Sequence, residues 1–418
     1  MPDFPDVLTV SPSQGPLNAV VRPPGSKSIT NRALLCAALA PGTSTLTGVL
    51  FADDTRAMLG AVSALGATVD ADPAAGRVAV TGVDLRAGTA SAVVDARQSG
   101  TTARFVLPVA ATRPGSTVVD GAPQLRARPF RPVLEALRDL GASVSDGEFL
   151  PATVRGPLRG GPVQVSGHVS SQFLSGLLLA GPLMADGLAV EVTSPLVSVP
   201  YVEMTKAVMA AFGVTVDGLR VGAGAYRATD YAVEPDASAA SYLLAAAAVA
   251  GGTVTVEGLG SGSLQGDVRF ADVLASMGAR VSRTADSLTV KVDGPLTGVD
   301  VDMADISDTA QTLAAVAVFA ESETRVRGIG FIRRKETDRL AAIVTELRRA
   351  GIDATEDEDG FTIRPGRPRP TRFATYDDHR MAMSLSLLGL RTPGIEIAGP
   401  GCVTKTYPEF FTDLAGLL

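Results

Sequence analysis

The sequence predicts a mixed α/β fold built from six copies of one strand–helix unit, and two repeating patterns support this prediction. The first is a helical pattern that ends in glycine and continues into a β-branched run. The second is a helical pattern that is apolar on nearly all faces and alternates with the first. Both recur about every 70 residues along the chain, and a fixed period indicates a repeated supersecondary unit.

The glycine pattern marks the ends of amphipathic helices. A glycine just after a helix adopts the left-handed conformation that leads the chain into the next segment. The complete copies are centred on Gly66, Gly141, Gly213, Gly278 and Gly351, and a truncated copy carries Gly416. Each complete copy therefore predicts a helix, a glycine cap and a strand.

The second pattern predicts buried helices. These segments begin near residues 31, 101, 170, 238, 308 and 378 with polar residues and then run apolar. A helix that is apolar all round is a buried helix. Its N-terminus carries unsatisfied N–H groups and partial positive charge, which suit phosphate and carboxylate. We expect the six helix starts to point toward a common region that binds small anions.

The length and composition are those of a globular protein. Its 418 residues are enough for two or three domains. The 46% apolar and 19% charged residues are typical of soluble proteins, and the longest apolar stretches are shorter than the roughly 20 residues that span a bilayer. The first ten residues lack the basic region of a secretory signal. We therefore expect a cytoplasmic protein without a membrane segment.

Charge and rare residues narrow the class of ligand. The net charge of −7 disfavours nucleic acid, because the overall field repels polyanions, whereas local basic groups can still bind a small anion. The two cysteines, Cys36 and Cys402, cannot form a disulfide framework or a zinc cluster. Lysine is scarce beside arginine, which suggests that it is kept where a compact ammonium is needed. The five lysines are Lys27, Lys206, Lys291, Lys335 and Lys405.

Polar motifs open the first three buried helices. They are Gly-Ser-Lys-Ser within Pro23–Arg32, a glycine turn within Arg97–Arg104, and Ser170-Ser171-Gln172; Arg126–Pro132, Ser198 and Tyr201 lie on nearby loops. Hydroxyl, amide and guanidinium groups bind phosphate and carboxylate. The same residues also serve as ordinary helix caps or solvated loop residues. For the first motif we favour the functional interpretation, because a rare lysine and the rare Asn31 open a buried helix there. For the other motifs taken alone, both interpretations stay open.

The second half of the chain adds acids and cations. Asp308, at the start of the fifth buried helix, is a candidate general base, although an acid there also favours the helix dipole. The segment Arg333–Leu340 predicts a helical stretch that projects Lys335, Glu336 and Arg339 together; a solvated, salt-bridged helix is the alternative. The motifs DDHR and TKTYPEF contribute Arg380 and Lys405.

Seven motifs together resemble one family. With GSKSxxNR, SGTxxR, SSQFLS, DASxAS, KETDRL, DDHRMAM and KTYPEFF in this order, the chain resembles the 5-enolpyruvylshikimate-3-phosphate (EPSP) synthases from about residue 10 to residue 418. The resemblance implies a two-domain inside-out α/β barrel of six strand–helix repeats, with buried helices surrounded by sheets. One domain would comprise residues 1–24 and 236–418, the other residues 25–235, and the two would close on substrate.

The resemblance also implies a reaction. The enolpyruvyl group of phosphoenolpyruvate would pass to the 5-hydroxyl of shikimate-3-phosphate, with release of phosphate, on the route to chorismate and the aromatic amino acids. No metal or cofactor is implied. Glyphosate is expected to inhibit, and a monomer is expected.

Site residues follow from the same resemblance. It implies proton transfer by Asp308, Glu336 and Lys27. The implied contacts of shikimate-3-phosphate are Lys27, Ser28, Arg32, Ser170, Ser171, Gln172, Ser198, Tyr201, Asp308 and Lys335. The implied contacts of phosphoenolpyruvate are Lys27, Gly100, Arg128, Gln172, Arg339, Arg380 and Lys405.

Three departures and three alternatives accompany the resemblance. Phe331 and Gln98 stand where asparagines are frequent, and Phe105 stands where proline is frequent. A UDP-N-acetylglucosamine enolpyruvyl transferase is the nearest rival, but that family uses a cysteine near residue 115, where this chain has none. A non-catalytic anion-binding protein is disfavoured by Asp308 and Glu336. An RNA-processing relative is disfavoured by the acidic charge.

Overall fold

The computed structural model describes residues 4–167 and 170–418. The chain folds as two compact units. Unit 2 is Gly25–Glu234, and unit 1 combines the residues before Gly25 with Pro235–Leu418. Each unit has its own apolar core. In the described part of the chain, no helix has the length and apolar character needed to cross a membrane.

The α-helices of the described residues are distributed over both units. Those of unit 2 are α1 (Lys27–Ala38), α2 (Asp53–Ala64), α3 (Gly100–Ala110), α4 (Pro123–Arg126), α5 (Arg131–Asp139), α6 (Ser171–Ala180) and α7 (Val199–Ala211). Those of unit 1 are α8 (Ala237–Ala250), α9 (Phe270–Ser276), α10 (Ala310–Ala317), α11 (Arg339–Arg349), α12 (His379–Ser386) and α13 (Phe410–Gly416).

The strands are short. Unit 1 begins with β1 (Val7–Thr9) and β2 (Leu17–Val21). Unit 2 contains β3 (Gly42–Thr47), β4 (Thr68–Asp72), β5 (Arg77–Gly82), β6 (Ala92–Asp95), β7 (Ser116–Asp120), β8 (Ser143–Val144), β9 (Ala152–Arg155), β10 (Gly161–Val165), β11 (Leu188–Val192), β12 (Val216–Asp217), β13 (Arg220–Val221) and β14 (Tyr231–Ala232). Unit 1 resumes with β15 (Gly252–Glu257), β16 (Arg280–Arg283), β17 (Ser287–Val292), β18 (Asp300–Asp302), β19 (Thr324–Arg327), β20 (Asp353–Glu356), β21 (Phe361–Arg364), β22 (Thr371–Ala374) and β23 (Ile395–Ala398).

One pairing pattern recurs in the sheets. Among the described residues, unit 2 has the sheets β14–β3–β5–β4, β6–β7–β9–β8 and β10–β11–β13–β12, and unit 1 has β2–β15–β17–β16, β18–β19–β21–β20 and β22–β23–β1. Each four-stranded sheet contains one parallel pair followed by two antiparallel pairs. The three-stranded sheet keeps the parallel pair and one antiparallel pair. The fold is therefore mixed α/β, as the sequence predicts.

The glycine caps and the buried helices are confirmed. The five predicted cap glycines have φ between 82° and 111° and directly follow the cap residues of α2, α5, α7, α9 and α11. Gly416 differs, because it is the last residue of α13. The apolar helices α1, α3, α6, α8, α10 and α12 start close to the predicted positions, and nearly all their residues are buried.

Two buried helices of unit 2 pack closely because one of them lacks a side chain at the contact. A Cβ atom on Gly176 of α6 would overlap the carbonyl oxygen of Arg104 on α3. Both helices carry residues of the candidate site in their first turns. Their separation therefore sets the spacing of those residues.

We predict that Gly176→Ala lowers the free energy of unfolding by about 1–3 kcal/mol, because the added methyl group pushes α6 away from α3. The matched control is Gly60→Ala on the exposed face of α2, where a Cβ atom would meet nothing within 4 Å. That change should stabilise by about 0.5–1 kcal/mol through helix propensity. Denaturant midpoints of both variants test the prediction, and equal midpoints would contradict it.

Candidate active site

The start of α1 presents a lysine beside a carboxylate. Ser26 caps the helix by accepting a hydrogen bond from the Ile29 N–H at 3.4 Å. This cap leaves the next residue, Lys27, at the first helical position, where its side chain is 13% exposed. Lys27 Nζ lies 3.6 Å from Oδ2 of Asp54, a buried residue of α2. No sequence motif marks Asp54 as functional.

Arg32 is a buried guanidinium one turn further along α1. It is 1% exposed and donates to Thr205 Oγ1 at 2.7 Å, to the Ser28 carbonyl at 2.8 Å and to the Tyr201 carbonyl at 3.1 Å. Its guanidinium also lies 5.0 Å from the ring centre of Phe105. Burial lowers the pKa of Arg32 to about 10, so the group stays protonated at neutral pH. Arg32 thus contacts two other residues that the sequence predicts for the site, Ser28 and Tyr201.

The starts of α3 and α6 meet through Gln172. Its Oε1 accepts from Arg104 Nη1 at 2.9 Å, and its Nε2 donates to Thr101 Oγ1 at 3.1 Å. A methyl group on Gly100 would lie 2.6 Å from Arg104 Nη1 and 3.2 Å from Arg128 Nη1. Gly100, Arg128 and Gln172 therefore share one neighbourhood. Arg104, which joins them, ends the SGTxxR motif but was not predicted as a site residue.

The predicted site residues Ser170, Ser171 and Ser198 lie at the starts of α6 and α7. Ser170 caps α6 and accepts from the Gln172 N–H at 3.2 Å, and Ser171 is buried in the first turn. Ser198 precedes α7 and has a left-handed backbone, with φ of 55°. A serine in this conformation is strained, and strain of this kind is frequent at functional sites. We call a set of residues in unit 2 the helix-start cluster, which comprises residues in the first two turns or caps of α1, α3, α6 and α7 together with Arg128 beside Gly100: Lys27, Ser28, Arg32, Gly100, Arg104, Arg128, Ser170, Ser171, Gln172, Ser198 and Tyr201.

Asp308 is the centre of a second cluster, in unit 1. Its carboxylate lies 2.7 Å from Lys335 Nζ, 2.7 Å from Arg380 Nη2 and 3.3 Å from Arg339 Nη1. Arg380 also donates to the Tyr242 hydroxyl, 3.2 Å away on α8. Asp308 lies in the 3-10 turn Ala304–Thr309 that leads into α10, and not at the start of an α-helix. The second turn of α8, the turn before α10 and the start of α12 therefore meet at this point.

Arg339 carries the rest of this cluster. It is 1% exposed and pairs with Asp378 at 2.8 Å and with Glu336 at 2.8 Å, in addition to Asp308. Glu336 in turn lies 3.8 Å from Lys405 Nζ. We call this set the acid–base cluster: Asp308, Lys335, Glu336, Arg339, Asp378, Arg380 and Lys405. Every site residue that the sequence predicts in unit 1 belongs to it.

The prediction that a helix brings Lys335, Glu336 and Arg339 together is wrong. Asp338 caps α11 by accepting from two backbone N–H groups, at 3.1 and 3.0 Å, so the helix begins only at Arg339. Lys335 and Glu336 lie in the irregular segment before it. The three side chains meet because they pair with common partners.

Burial and charge act on these cations in opposite directions. Burial lowers the pKa of Lys335, while the adjacent Asp308 carboxylate partly offsets that shift. Burial also acts to lower the pKa of Arg339, but the carboxylates of Asp378, Glu336 and Asp308 outweigh it and raise that pKa.

The ammonium of Lys335 lies 5.8 Å from the ring centre of Phe331, the residue that departs from the family pattern.

A further buried acid, Asp267, borders the acid–base cluster. It is 3% exposed and accepts a short hydrogen bond from the Ser238 hydroxyl in the first turn of α8. Burial raises the pKa of Asp267 to about 6, and the negative charge of Asp308 adds to this increase. No motif marked Asp267 as functional. Among the described residues, no three His, Cys, Asp or Glu side chains are grouped as a metal site requires.

Solved structures define the class of protein. The chain is similar to the EPSP synthase from Acinetobacter baumannii, with a TM-score of 0.81, 27% identity, and coverage of 98% of this chain and 97% of that one. It also shares its fold with the enolpyruvyl transferase NikO from Streptomyces tendae, with a TM-score of 0.78, 20% identity, and coverage of 98% and 97%. The fold is thus that of the enolpyruvyl transferases.

Sequence comparison narrows the class to one family. The family model described as EPSP synthase (3-phosphoshikimate 1-carboxyvinyltransferase) matches residues 12–414. The 3-phosphoshikimate 1-carboxyvinyltransferases of Nostoc sp. and Serratia proteamaculans are 42% and 43% identical to this chain. The alignments cover 97% and 98% of this chain, and 98% of each relative. The chain belongs to the EPSP synthase family.

We predict that Asp267→Asn removes one pH-dependent contribution to stability, so that the variant becomes more stable relative to the parent as pH rises. The Asp267 pKa is about 6 in the folded state and near 4 in the unfolded state. The folded state therefore holds the extra proton between these values, and the free energy of unfolding falls as pH rises through them. Asparagine does not titrate. Relative to the parent, the variant should gain roughly 1–3 kcal/mol between pH 4 and pH 7.

Denaturant unfolding at several pH values measures this difference. The exposed Asp286→Asn variant is the control, and it should follow the parent across the series. A constant difference between parent and Asp267→Asn over the whole range would contradict the prediction.

Proposed function

We propose that Asp308 accepts and Glu336 donates protons, with Lys27 assisting, while this enzyme transfers an enolpyruvyl group. As a member of the EPSP synthase family, the enzyme moves that group from phosphoenolpyruvate to shikimate-3-phosphate in aromatic amino-acid biosynthesis. The acceptor atom in the proposal is the 5-hydroxyl oxygen. The observation that carries the proposal is the Asp308 carboxylate, which three cations approach within 3.3 Å.

The reaction proceeds by addition and elimination. The 5-hydroxyl oxygen bonds to C2 of phosphoenolpyruvate and gives up its proton, while C3 gains a proton. The tetrahedral adduct then loses a proton from C3 and expels phosphate, which restores the double bond. Both steps balance with the two substrates alone, so the proposal includes no cofactor or metal. They require an acid and a base held beside C2 and C3.

The acid–base cluster has the groups for this task. Asp308 is 14% exposed, and its carboxylate oxygens accept hydrogen bonds from the three cations around it. Glu336 lies between Arg339 and Lys405 and is 13% exposed. Hydrogen bonds and ion pairs fix both carboxylates before substrate arrives. Such preorganised groups stabilise developing charge without reorganising during the reaction.

Cations of both clusters hold the substrate anions in this proposal. Phosphoenolpyruvate would be bound by Lys27, Gly100, Arg128, Gln172, Arg339, Arg380 and Lys405. Shikimate-3-phosphate would be bound by Lys27, Ser28, Arg32, Ser170, Ser171, Gln172, Ser198, Tyr201, Asp308 and Lys335. The buried or half-buried position of these residues supports the proposal, because a charge-assisted hydrogen bond is stronger away from bulk water.

The finer architecture belongs to the same proposal. We propose two domains, residues 1–24 with 236–418 and residues 25–235, each an inside-out α/β barrel of three repeats with its buried helices surrounded by sheets. Three sheets and three buried helices in each unit support this arrangement. We further propose a cytoplasmic monomer.

We predict that Asp308→Ala lowers kcat by roughly 10²- to 10⁴-fold, the usual contribution of a general acid or base. The KM values for both substrates should change much less. The measurement is phosphate release from phosphoenolpyruvate, which the parent should catalyse when shikimate-3-phosphate is the acceptor. Asp305→Ala is the control, because Asp305 is on the same turn but is half-exposed and pairs with Arg269. An unreduced kcat would remove Asp308 from the mechanism.

We predict that glyphosate competes with phosphoenolpyruvate and that Gly100→Ala weakens glyphosate more than the substrate. The added methyl group would meet the ends of Arg104 and Arg128 and narrow the anion site. Glyphosate is the longer molecule and should lose more contacts. The glyphosate inhibition constant and the KM for phosphoenolpyruvate test this, with Gly60→Ala as the control. An equal change in both constants would contradict the placement of Gly100.

A further inference from the structure

Two strained residues precede the helix that carries Arg380. Tyr376 and Asp377 are not glycines, yet their φ angles are 55° and 54°. Each L-residue in this conformation is unfavourable, and such strain persists only where the surrounding structure holds it. Two consecutive residues of this kind require contacts that hold the turn.

The strained turn leads directly into the acid–base cluster. The next residue, Asp378, is fully buried and caps α12 by accepting from the Arg380 N–H at 2.9 Å. Asp378 also accepts from Arg339 Nε at 2.8 Å. Arg380 then reaches Asp308 at 2.7 Å. A shift of the turn would therefore move both Asp378, which caps α12, and the guanidinium of Arg380.

Glu346 on α11 holds the turn from the other side. This residue is 1% exposed. Its Oε1 accepts from the Tyr376 hydroxyl at 2.8 Å, and its Oε2 accepts from the Ala374 N–H at 3.0 Å and from Arg349 Nη1 at 2.6 Å. Burial, followed by the hydrogen bond to Glu346, raises the pKa of Tyr376 to about 12, so its hydroxyl remains a donor at neutral pH.

One helix thus holds the turn at both ends. Arg339 and Glu346 are seven residues apart on α11 and so lie on the same face, two helical turns from each other. Arg339 pairs with Asp378 after the strained residues, and Glu346 binds Ala374 before them and Tyr376 within them. The two contacts together fix where α12 begins.

We propose that Tyr376 is a positioning residue: through its hydrogen bond to Glu346 it holds the strained turn, so that Asp378 caps α12 and Arg380 is set for binding phosphoenolpyruvate. This inference rests on the role proposed above for Arg380. Tyr376 itself touches no reacting atom in this scheme. Its effect is on the affinity of the anion site and not on proton transfer.

Tyr376→Phe is the direct test, because it removes one hydroxyl from a side chain that is 41% exposed. The KM for phosphoenolpyruvate should rise about 3- to 10-fold, which is less than the full effect of losing a hydrogen bond to a charged group because the loss reaches the anion site only through the turn. The kcat and the KM for shikimate-3-phosphate should change less than about 2-fold. An unchanged KM for phosphoenolpyruvate, or an equal loss in all three constants, would overturn the proposal.

A rescue experiment tests whether backbone strain in the turn causes the loss of affinity for phosphoenolpyruvate in Tyr376→Phe. Glycine adopts a φ near 54° without cost, so Asp377→Gly should lessen the need for the hydrogen bond. Asp377→Gly alone provides the baseline, and combined with Tyr376→Phe it should restore most of the lost affinity for phosphoenolpyruvate. A double variant no better than Tyr376→Phe would refute the proposed role of the strained turn.

Two further variants separate the possible failures. Tyr226→Phe removes a tyrosine hydrogen bond to the Leu179 carbonyl in unit 2, and the KM for phosphoenolpyruvate should not change; a rise equal to that of Tyr376→Phe would overturn the proposal. Arg380→Lys should raise that KM by at least as much as Tyr376→Phe. If Arg380→Lys has no effect, both the role of Arg380 and this inference fail. If only Tyr376→Phe has no effect, the inference alone fails.

Discussion

A buried positive charge must be matched by buried negative charge, and Arg339 imposes this requirement on unit 1. Its guanidinium is 1% exposed and is matched by Asp308, Glu336 and Asp378. These partners come from the turn before α10, the segment before α11 and the cap of α12. Removing one partner would leave a charge buried without compensation, which is costly. The demand for neutrality therefore fixes three separate segments relative to one another.

The same arrangement prepares the cluster for chemistry. Asp308 is shared among Lys335, Arg339 and Arg380, so that excess cations surround one carboxylate. A site of this kind attracts a substrate phosphate or carboxylate and has little reorganisation to undergo when it binds. The ion pairs that stabilise unit 1 thus also hold in place the cations that we propose as the substrate-binding groups.

Unit 2 satisfies a buried guanidinium in a different way. Arg32 is held by hydroxyl and carbonyl oxygens from α1, α6 and α7 and not by a carboxylate. Neutral acceptors leave its positive charge available to a ligand. Lys27, by contrast, already has Asp54 nearby. The helix-start cluster therefore carries uncancelled charge at Arg32, which suits a phosphorylated substrate.

The sequence by itself determined the repeat, the cap glycines, the buried helices and most residues of the two clusters. These features are local: a helix end needs its glycine, and a buried helix needs apolar residues on every face. Only the tertiary structure identified Asp54, Arg104, Asp267 and the contact between Tyr376 and Glu346. It also showed that Asp338 caps α11, so that the helix begins at Arg339 and excludes Lys335 and Glu336. The physical reason is that the contacts of Asp54, Arg104, Asp267 and Tyr376 join residues on separate elements, whose pairing depends on how those elements pack. Spacing along the chain specifies only neighbours within one element.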